Sequence, residues 1–327
     1  MVRIIKAIIK CLFTPLFKLM SFFDKRKLCV IFVDGGLGSQ INKLAIGLNM
    51  EAHGYYVKYD LTPFKKGQKD INGLYNRNLD IDKVYKKNDG GGIRIASKFD
   101  ILYSKLVNVY KSKDLFLYDE RLFFQKAPVY VGGYIDNIAY WTSVRKQLVE
   151  SCSFEMNLSE KALAFLEKIK NNKSAVVVHV RRGDYVGSVY DVVTPEYYKR
   201  AVSWFLTEIK NPCFFFFSND IQWVKDCLLS QLPKNLSCEF ADFNDNDKGF
   251  NDIAMMRCSE NFILSNSSFS IMGAFFSLSD NKRIVMPEKW VKEKFGGMFD
   301  LSVSEQDFIM LSQKAHDITG KTVFLQC

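Results

Sequence analysis

The sequence predicts an α/β protein of two Rossmann-like domains with mostly parallel sheets. Three observations carry that expectation. Strand-like and helix-like runs alternate through residues 175–286, the pattern of a parallel sheet covered by helices on both faces. A strand-like run at 28–33 enters a glycine turn, Asp34-Gly35-Gly36-Leu37-Gly38-Ser39-Gln40, and then a helix, the opening of a nucleotide-binding unit. The 327 residues, 48% apolar, suffice for two packed cores.

The helix after the turn places Ile41, Leu44, Ala45, Leu48 and Met50 at helical spacing. The dinucleotide fingerprint G-x-G-x-x-G fits poorly, because Ile41 stands where its third glycine belongs. Residues 55–59 read as the next strand and 60–97 as a long polar loop with short elements. Residues 101–110 read as helix, 129–134 as a strand ending on glycines, and 137–149 as a helix carrying Trp141. A helix at 159–169 precedes strands at 175–180, 213–217, 237–240, 261–264 and 283–286. Helices separate these strands at 195–209, 221–229, 251–258 and from Ser265–Ser268 to about 277; Thr194 and Pro195 supply an N-cap and first position. The expected divisions are a segment 1–27, a domain 28–170, a domain 171–295 and a tail 296–327 with no role assigned.

Charge is concentrated rather than spread. Arg3, Lys6, Lys10, Lys18, Lys25, Arg26 and Lys27, opposed by Asp24 alone, put +6 of the net +9 into residues 1–27. The remainder is nearly neutral, which argues against nucleic acid as a partner. Eight cysteines without a C-x-x-C pair read as reduced core thiols of a cytoplasmic protein, and three histidines leave little for a His/Cys metal site. On a helical wheel Arg3, Lys6, Lys10 and Lys18 occupy a sector of roughly 120°, opposite Ile, Leu, Phe and Met. The charge-free run 11–17 is far short of the roughly 20 residues that span a bilayer. The segment therefore predicts an interfacial helix, kinked at Pro15, on the inner face of the cytoplasmic membrane, with Lys25-Arg26-Lys27 drawn to anionic lipid. Packing of this helix on the domain is the competing reading.

The stretch 175–185, AVVVHVRRGDY, is a buried strand that stops in a charged turn. Strand ends of a parallel sheet share one edge, where ligands of open α/β sheets bind. Four such ends carry polar groups: His179, Arg181 and Asp184; Ser218, Asn219 and Asp220; Asp252; and Ser265 to Ser268. Arg181 offers a planar fork to a phosphate, and Ser267 and Ser268 lie at a helix N-terminus whose N–H groups bind anions. Together they suit a nucleotide diphosphate held without metal; simple capping is the plainer reading of the serines and of Asp252. Asp80-Ile81-Asp82 and Asp245-Asn246-Asp247 have the spacing of metal-dependent sugar transferases but read better as solvated turns.

The blocks Gly35-Gly36-Leu37-Gly38-Ser39-Gln40, Gly133-Tyr134, His179-Val180-Arg181-Arg182-Gly183-Asp184-Tyr185, Phe217-Ser218-Asn219-Asp220 and Asn266-Ser267-Ser268-Phe269-Ser270 appear in that order. In them the chain resembles the bacterial α-1,2-fucosyltransferases of glycosyltransferase family 11, over about residues 30–290. The resemblance implies a GT-B-like fold, two Rossmann-like domains facing a central cleft. It also implies inverting, metal-independent transfer of L-fucose from GDP-fucose to the 2-hydroxyl of a galactoside, in surface-glycan synthesis of O-antigen or capsule type. GDP-fucose is then a substrate, no cofactor is expected, and the acceptor is a galactose-terminated glycan, free or lipid-linked.

Carried over by position, Arg181 and His179 are the catalytic pair at the diphosphate. Asp184, Ser218, Ser267, Ser268 and Phe269 complete the donor site, and Asp252 matches the aspartate placed on guanine. Gly36, Gly38, Ser39, Gln40 and Tyr134 belong to the acceptor side or its turn. Arg182 is expected as the structural partner of Asp184. Asp34 and Asp184 are candidates for the base by type only. The family reads GGLGNQ where this chain has Ser39, and Trp-Trp-Gly where it has Ile271-Met272-Gly273. Two alternatives stand beside this reading: a non-catalytic nucleotide-sugar or glycan-binding protein at the membrane, and a same-fold transferase using another GDP-deoxyhexose.

Overall fold

Two separate all-parallel sheets organise the chain. The structure is a computed structural model that describes all residues but 1, 74, 87–90, 113, 115, 134, 155–157, 244–248, 278, 280, 288, 293–307 and 312–327; for 2–12 and 308–311 it describes the backbone only. The first unit comprises Met1–Gln68 and Arg77–Cys152. Its elements are α1 (Val2–Phe23), β1 (Leu28–Phe32), α2 (Leu37–Ala52), β2 (Tyr56–Asp60), the short α3 (Thr62–Lys65) and α4 (Ile81–Val84), α5 (Lys98–Val107), β3 (Val109–Lys111), β4 (Val129–Gly132), α6 (Ala139–Thr142) and α7 (Arg145–Ser151).

The second unit holds Lys69–Asn76 and the chain from Ser153 to Phe299. It carries α8 (Glu160–Lys170), β5 (Ala175–Val180), α9 (Pro195–Glu208), β6 (Cys213–Ser218), α10 (Ile221–Trp223, continued by irregular turns to Gln231) and β7 (Cys238–Phe240). Then come α11 (Gly249–Met256), β8 (Asn261–Ile263), α12 (Ser268–Phe275) and β9 (Arg283–Pro287), and β10 (Phe308–Leu311) pairs with β9.

Strand order is β2-β1-β4-β3 in the first sheet and β10-β9-β8-β5-β6-β7 in the second. In each, the chain builds to one side of its opening strand and then returns to the other side. The order therefore reverses between β1 and β4, and between β5 and β8. Such switch points open a crevice at the strands' carboxyl ends. The core of the second unit is apolar on both faces of β5 and β6: Val176 to Val178 and Phe214 to Phe217 are all buried. Each such side chain contributes about 1.5–3 kcal/mol. That outweighs exposed ion pairs such as Lys168–Glu239, worth at most about 1 kcal/mol each.

Several expectations change. The division falls between Cys152 and Ser153, upstream of 170/171, because α8 packs on the second sheet through Phe165 against Phe215 and Phe217. The expected helix 137–149 is two helices: Ser143, between them, turns its hydroxyl to Asn49 Oδ1 at 2.8 Å. β3 and β10 are strands that the sequence did not announce. Of the six described cysteines, all free thiols, only Cys29 and Cys152 are buried, and Cys227 is exposed. Among the described residues, helix α1 packs on the first unit chiefly through one side chain. Phe17 is buried, with its ring 5.7 Å from Phe99 and 5.5 Å from Tyr103, while Phe13, Leu16, Leu19, Met20, Phe22 and Phe23 stay exposed. Among the described residues, no helix is long and apolar enough to cross a membrane.

Candidate active site

At the second switch point, β5 delivers His179 and the loop 181–187, and β8 delivers Ser265 to Ser267. His179 is 3% exposed, with Nδ1 3.0 Å from Ser265 Oγ. Burial, with Arg181 nearby, pushes its imidazole down to about 3, so it is neutral at physiological pH. A neutral, buried His179 joins the two strand ends and orients its neighbours; it does not shuttle protons there. The sequence expectation of a catalytic His179 is corrected to that extent.

The partner of Asp184 is not the arginine expected. Arg181 Nη2, not Arg182, pairs with Asp184 Oδ1 at 2.6 Å, and the Arg181 guanidinium lies 5.2 Å from the Tyr185 ring. Asp184 is 3% exposed and its carbonyl accepts from Asn72 Nδ2. Arg182 turns away: its guanidinium lies 3.9 Å from the centre of the Trp223 ring and its N–H donates to Asn219 Oδ1 at 2.9 Å. Gly183, between Arg182 and Asp184, has φ +51°, and a Cβ there would meet Asn219 Nδ2 at 2.3 Å, so the turn needs glycine. Arg181 Nε is buried without an acceptor among the described residues. Such a donor costs about 1–3 kcal/mol unless something accepts from it.

Ser267 is the N-cap of α12, yet its hydroxyl makes no capping bond. Capping therefore does not account for Ser267. Ser265 N–H is held by Ser270 Oγ, and Asn266 Nδ2 ties the Tyr190 and Trp290 carbonyls at 2.8 Å each. The Phe269 ring sits 5.3 Å from His179 and against Gly249, where a Cβ would come within 3.0 Å of it. This contact brings the first turn of α11, with Asp252, to Phe269. Asn251 Oδ1, next to Asp252, is buried without a donor among the described residues. Ser218 ends β6, and its hydroxyl accepts from Asp220 N–H at 3.0 Å. The second unit thus gathers His179, Arg181, Asp184, Ser267, Ser268 and Phe269 around one sheet edge. The sequence places Asn219 among the polar strand ends but assigns no role to Tyr185, Trp223 or Asn251; Tyr185 closes the His179–Tyr185 stretch and Asn251 adjoins Asp252, whereas Trp223 carries no signal of its own.

The first unit has its own switch point. Asp34 follows β1 and Gly133, at φ +82°, follows β4. Lys43 of α2 lies between these strand ends, 1% exposed, with Nζ donating to Gly133 O at 2.7 Å. Burial lowers the Lys43 ammonium, while Asp34 and Asp136 act against that. Burial raises the Asp34 carboxyl, only partly offset by Lys43, and Asp34 Oδ1 has no donor among the described residues.

Gly36 caps α2, and Gly38 and Ser39 are buried in its first turn. Gln40 differs from expectation: it is fully buried and its amide is used up internally. Nε2 donates to Gly35 O and Asn78 O, and Oε1 accepts from Asp80 and Ile81 N–H. Gln40 holds the turn and the loop; it has no hydrogen-bonding capacity left for an acceptor sugar. Asp80 pairs with Lys83 at 2.9 Å. Tyr134, Asp245 and Asp247 lie outside the described residues.

The family model for glycosyl transferase family 11 matches residues 107–300. The chain belongs to glycosyl transferase family 11. Relatives include the alpha-1,2-colitosyltransferase of Escherichia coli, 28% identical over 51% of this chain and 58% of that protein. The Escherichia coli O-antigen biosynthesis glycosyltransferase WbnK is 22% identical over 73% and 78% of the two chains. Galactoside alpha-(1,2)-fucosyltransferase 2 of Bos taurus is 24% identical over 44% of each. The matches to the colitosyltransferase and the bovine enzyme thus span about half the length of those proteins. Among solved structures, Arabidopsis thaliana FUT1 with GDP overlaps 87% of this family 11 chain and 77% of its own, at 11% identity and TM-score 0.45. NodZ from Bradyrhizobium overlaps 76% and 92%, at 12% identity and TM-score 0.44.

Proposed function

We propose that this family 11 chain is an inverting, metal-independent galactoside α-1,2-fucosyltransferase of surface-glycan synthesis, with GDP-fucose as donor. The observation that carries the reading is the set of donors at the second switch point. The buried Arg181 Nε has no acceptor among the described residues, and it stands in the same strand-end cluster as a helix N-terminus whose N-cap hydroxyl makes no capping bond. Fixed cationic and N–H donors of this kind suit a diphosphate and its leaving charge. Phe269 and Asp252, at the mouth of α11, suit the nucleoside.

In the reaction, the oxygen of the galactoside 2-hydroxyl forms a bond to the anomeric carbon of fucose. The bond from that carbon to the β-phosphate oxygen breaks, and its electron pair leaves with GDP. Arg181 and the α12 N-terminus stabilise the developing charge. The hydroxyl proton goes to a carboxylate. Asp184 is committed to Arg181 and His179 is neutral and poorly basic, so of the carboxylates that the sequence offers by type Asp34 is the one left for this role. Its raised carboxyl is the better base for that reason. No step calls on a metal.

The kinship with an alpha-1,2-colitosyltransferase favours a second donor, the corresponding GDP-linked deoxyhexose. Incubation with each donor and a panel of terminal galactosides, followed by mass spectrometry of the acceptors and assay of GDP, tests both readings. GDP released only when donor and acceptor are both present, with a deoxyhexose on O2, is the expected result. GDP-sugar binding without transfer would make the chain a binding protein instead. We further propose a peripheral position on the inner face of the cytoplasmic membrane, supported by the exposed apolar side chains of α1 and the basic cluster after it.

A further inference from the structure

The first unit carries a second feature, next to the amino ends of β1, β2 and β4 rather than the carboxyl ends that form its switch point. A cleft of about 450 Å³ opens beside the chain that follows α1, lined among others by Lys27, His53, Tyr55, Phe123, Phe124 and Lys126. No carboxylate lines it. Its floor is aromatic: His53 stacks on Phe123 at 4.9 Å and 11°, and meets the edge of Phe124 at 5.7 Å. Two ammonium groups stand over rings. Lys27 Nζ is 5.9 Å from the Tyr55 ring, and Lys126 Nζ is 4.6 Å from the ring of Phe22 in the last turn of α1. The cleft and the helix are therefore parts of one surface.

That surface has an unusual composition. Phe22, Phe23 and Phe124 are 72%, 78% and 74% exposed, and Leu16 and Leu19 on α1 are about half exposed. Large exposed aromatic and aliphatic side chains interleaved with lysines are costly in water and match the boundary of an anionic bilayer. There the rings enter the acyl boundary and the ammonium groups meet phosphates. We propose that this face docks on an anionic lipid bilayer, with the Lys27–Lys126 cleft taking the phosphodiester headgroup of one lipid. The proposal rests on the peripheral membrane position suggested above and adds a discrete headgroup site to it. Lys25 and Lys18 supply only diffuse attraction, whereas Lys27 and Lys126 supply two cations on one aromatic-floored cleft.

The test is flotation of the full chain with phosphatidylglycerol or phosphatidylcholine vesicles. Wild type is expected to float with the former and not the latter. Lys27→Gln with Lys126→Gln is expected to weaken the vesicle partition at least about tenfold. Lys18→Gln with Lys25→Gln removes the same charge outside the cleft and is expected to weaken it clearly less. Circular dichroism and retained transfer to a soluble acceptor confirm that each variant is folded. If wild type floats with neither lipid, the membrane reading itself fails. If wild type floats with phosphatidylglycerol but the two double variants lose equally, or the cleft variant loses nothing, the headgroup site is overturned and the membrane reading survives.

Discussion

Arg181 and Asp184 form a 2.6 Å ion pair inside the loop that leaves β5, and the pairing leaves Arg181 Nε buried without an acceptor among the described residues. Asp184 fixes one edge of the guanidinium, and the donor on Nε remains for a ligand. Arg181→Lys separates these two functions. A lysine keeps a cation opposite Asp184 but offers no second donor at fixed geometry. Transfer is expected to fall about 10²–10³-fold in kcat, the usual cost of losing one preorganised donor to a developing oxyanion. Thermal unfolding should move only slightly. Steady-state kinetics beside a melting curve checks both, and near-wild-type kcat would remove Arg181 from the phosphate.

The Gln40 side chain joins two separate stretches through four hydrogen bonds. Gln40→Ala removes the partner of two carbonyls, Gly35 and Asn78, and of two N–H groups, Asp80 and the buried Ile81, and empties a fully buried side-chain site. The expected cost is about 2–4 kcal/mol in urea unfolding. Gln40→Glu is a sharper variant, because it keeps acceptors for Asp80 and Ile81 and loses both donors to Gly35 and Asn78. Its loss should be at least as large despite the conserved shape. If either variant were as stable as wild type but failed with the acceptor, Gln40 would return to the acceptor site.

What was legible in the sequence and what was not divides along physical lines. β5 could be read because burial on both faces demands a continuous apolar run, and its end could be read because the run stops at charge. The carboxyl-end position of the site followed from that. α2 could not be read as fully buried: Gln40, Asn42, Lys43 and Asn49 look like a solvent face by periodicity. Each also takes a partner far away in sequence, as where Trp141 Nε1 donates to Asn42 Oδ1 at 2.6 Å. Arg181 and Arg182 are adjacent and chemically identical, so their separate partners depend on the turn at Gly183. The edge strands β3 and β10 are short, and the apolar residues of β3 merely continue the spacing of α5.

His179 gives a pH signature of stability. Its folded pKa, about 3, lies below the 6.5 of an unfolded histidine. Between those values the unfolded chain binds the extra proton, so stability rises with pH through that window. It is complete above 6.5 and is lost as pH falls toward 3. The slope from this one group reaches about 1.4 kcal/mol per pH unit. His179→Gln keeps a partner for Ser265 and removes the titration, so its stability should depend less on pH over the same range. Urea unfolding of both proteins at about pH 7 and about pH 5 measures the difference. Parallel behaviour of the two would mean that the imidazole is protonated in the fold.

Asp34 completes the argument from the first unit. Its carboxyl is raised by burial and only partly offset by Lys43, so it must lose its proton at a higher pH than an exposed aspartate. As the base it works only when ionised. The acid limb of the kcat/KM profile should therefore lie above the ordinary carboxylate range, with activity falling as pH drops through it. Asp34→Asn removes the proton acceptor, and kcat is expected to fall about 10²–10⁴-fold with that limb abolished. Binding of GDP, which depends on the other unit, should be unchanged by calorimetry. Lys43→Met tests the neighbour by a different readout. Without its offsetting cation, Asp34 should be raised further and the acid limb should move to higher pH, where a purely structural lysine would lower activity evenly across the profile. An Asp34→Asn enzyme that transfers at the wild-type rate would leave the hydroxyl proton to water and return Asp34 to the framework of the β1 turn.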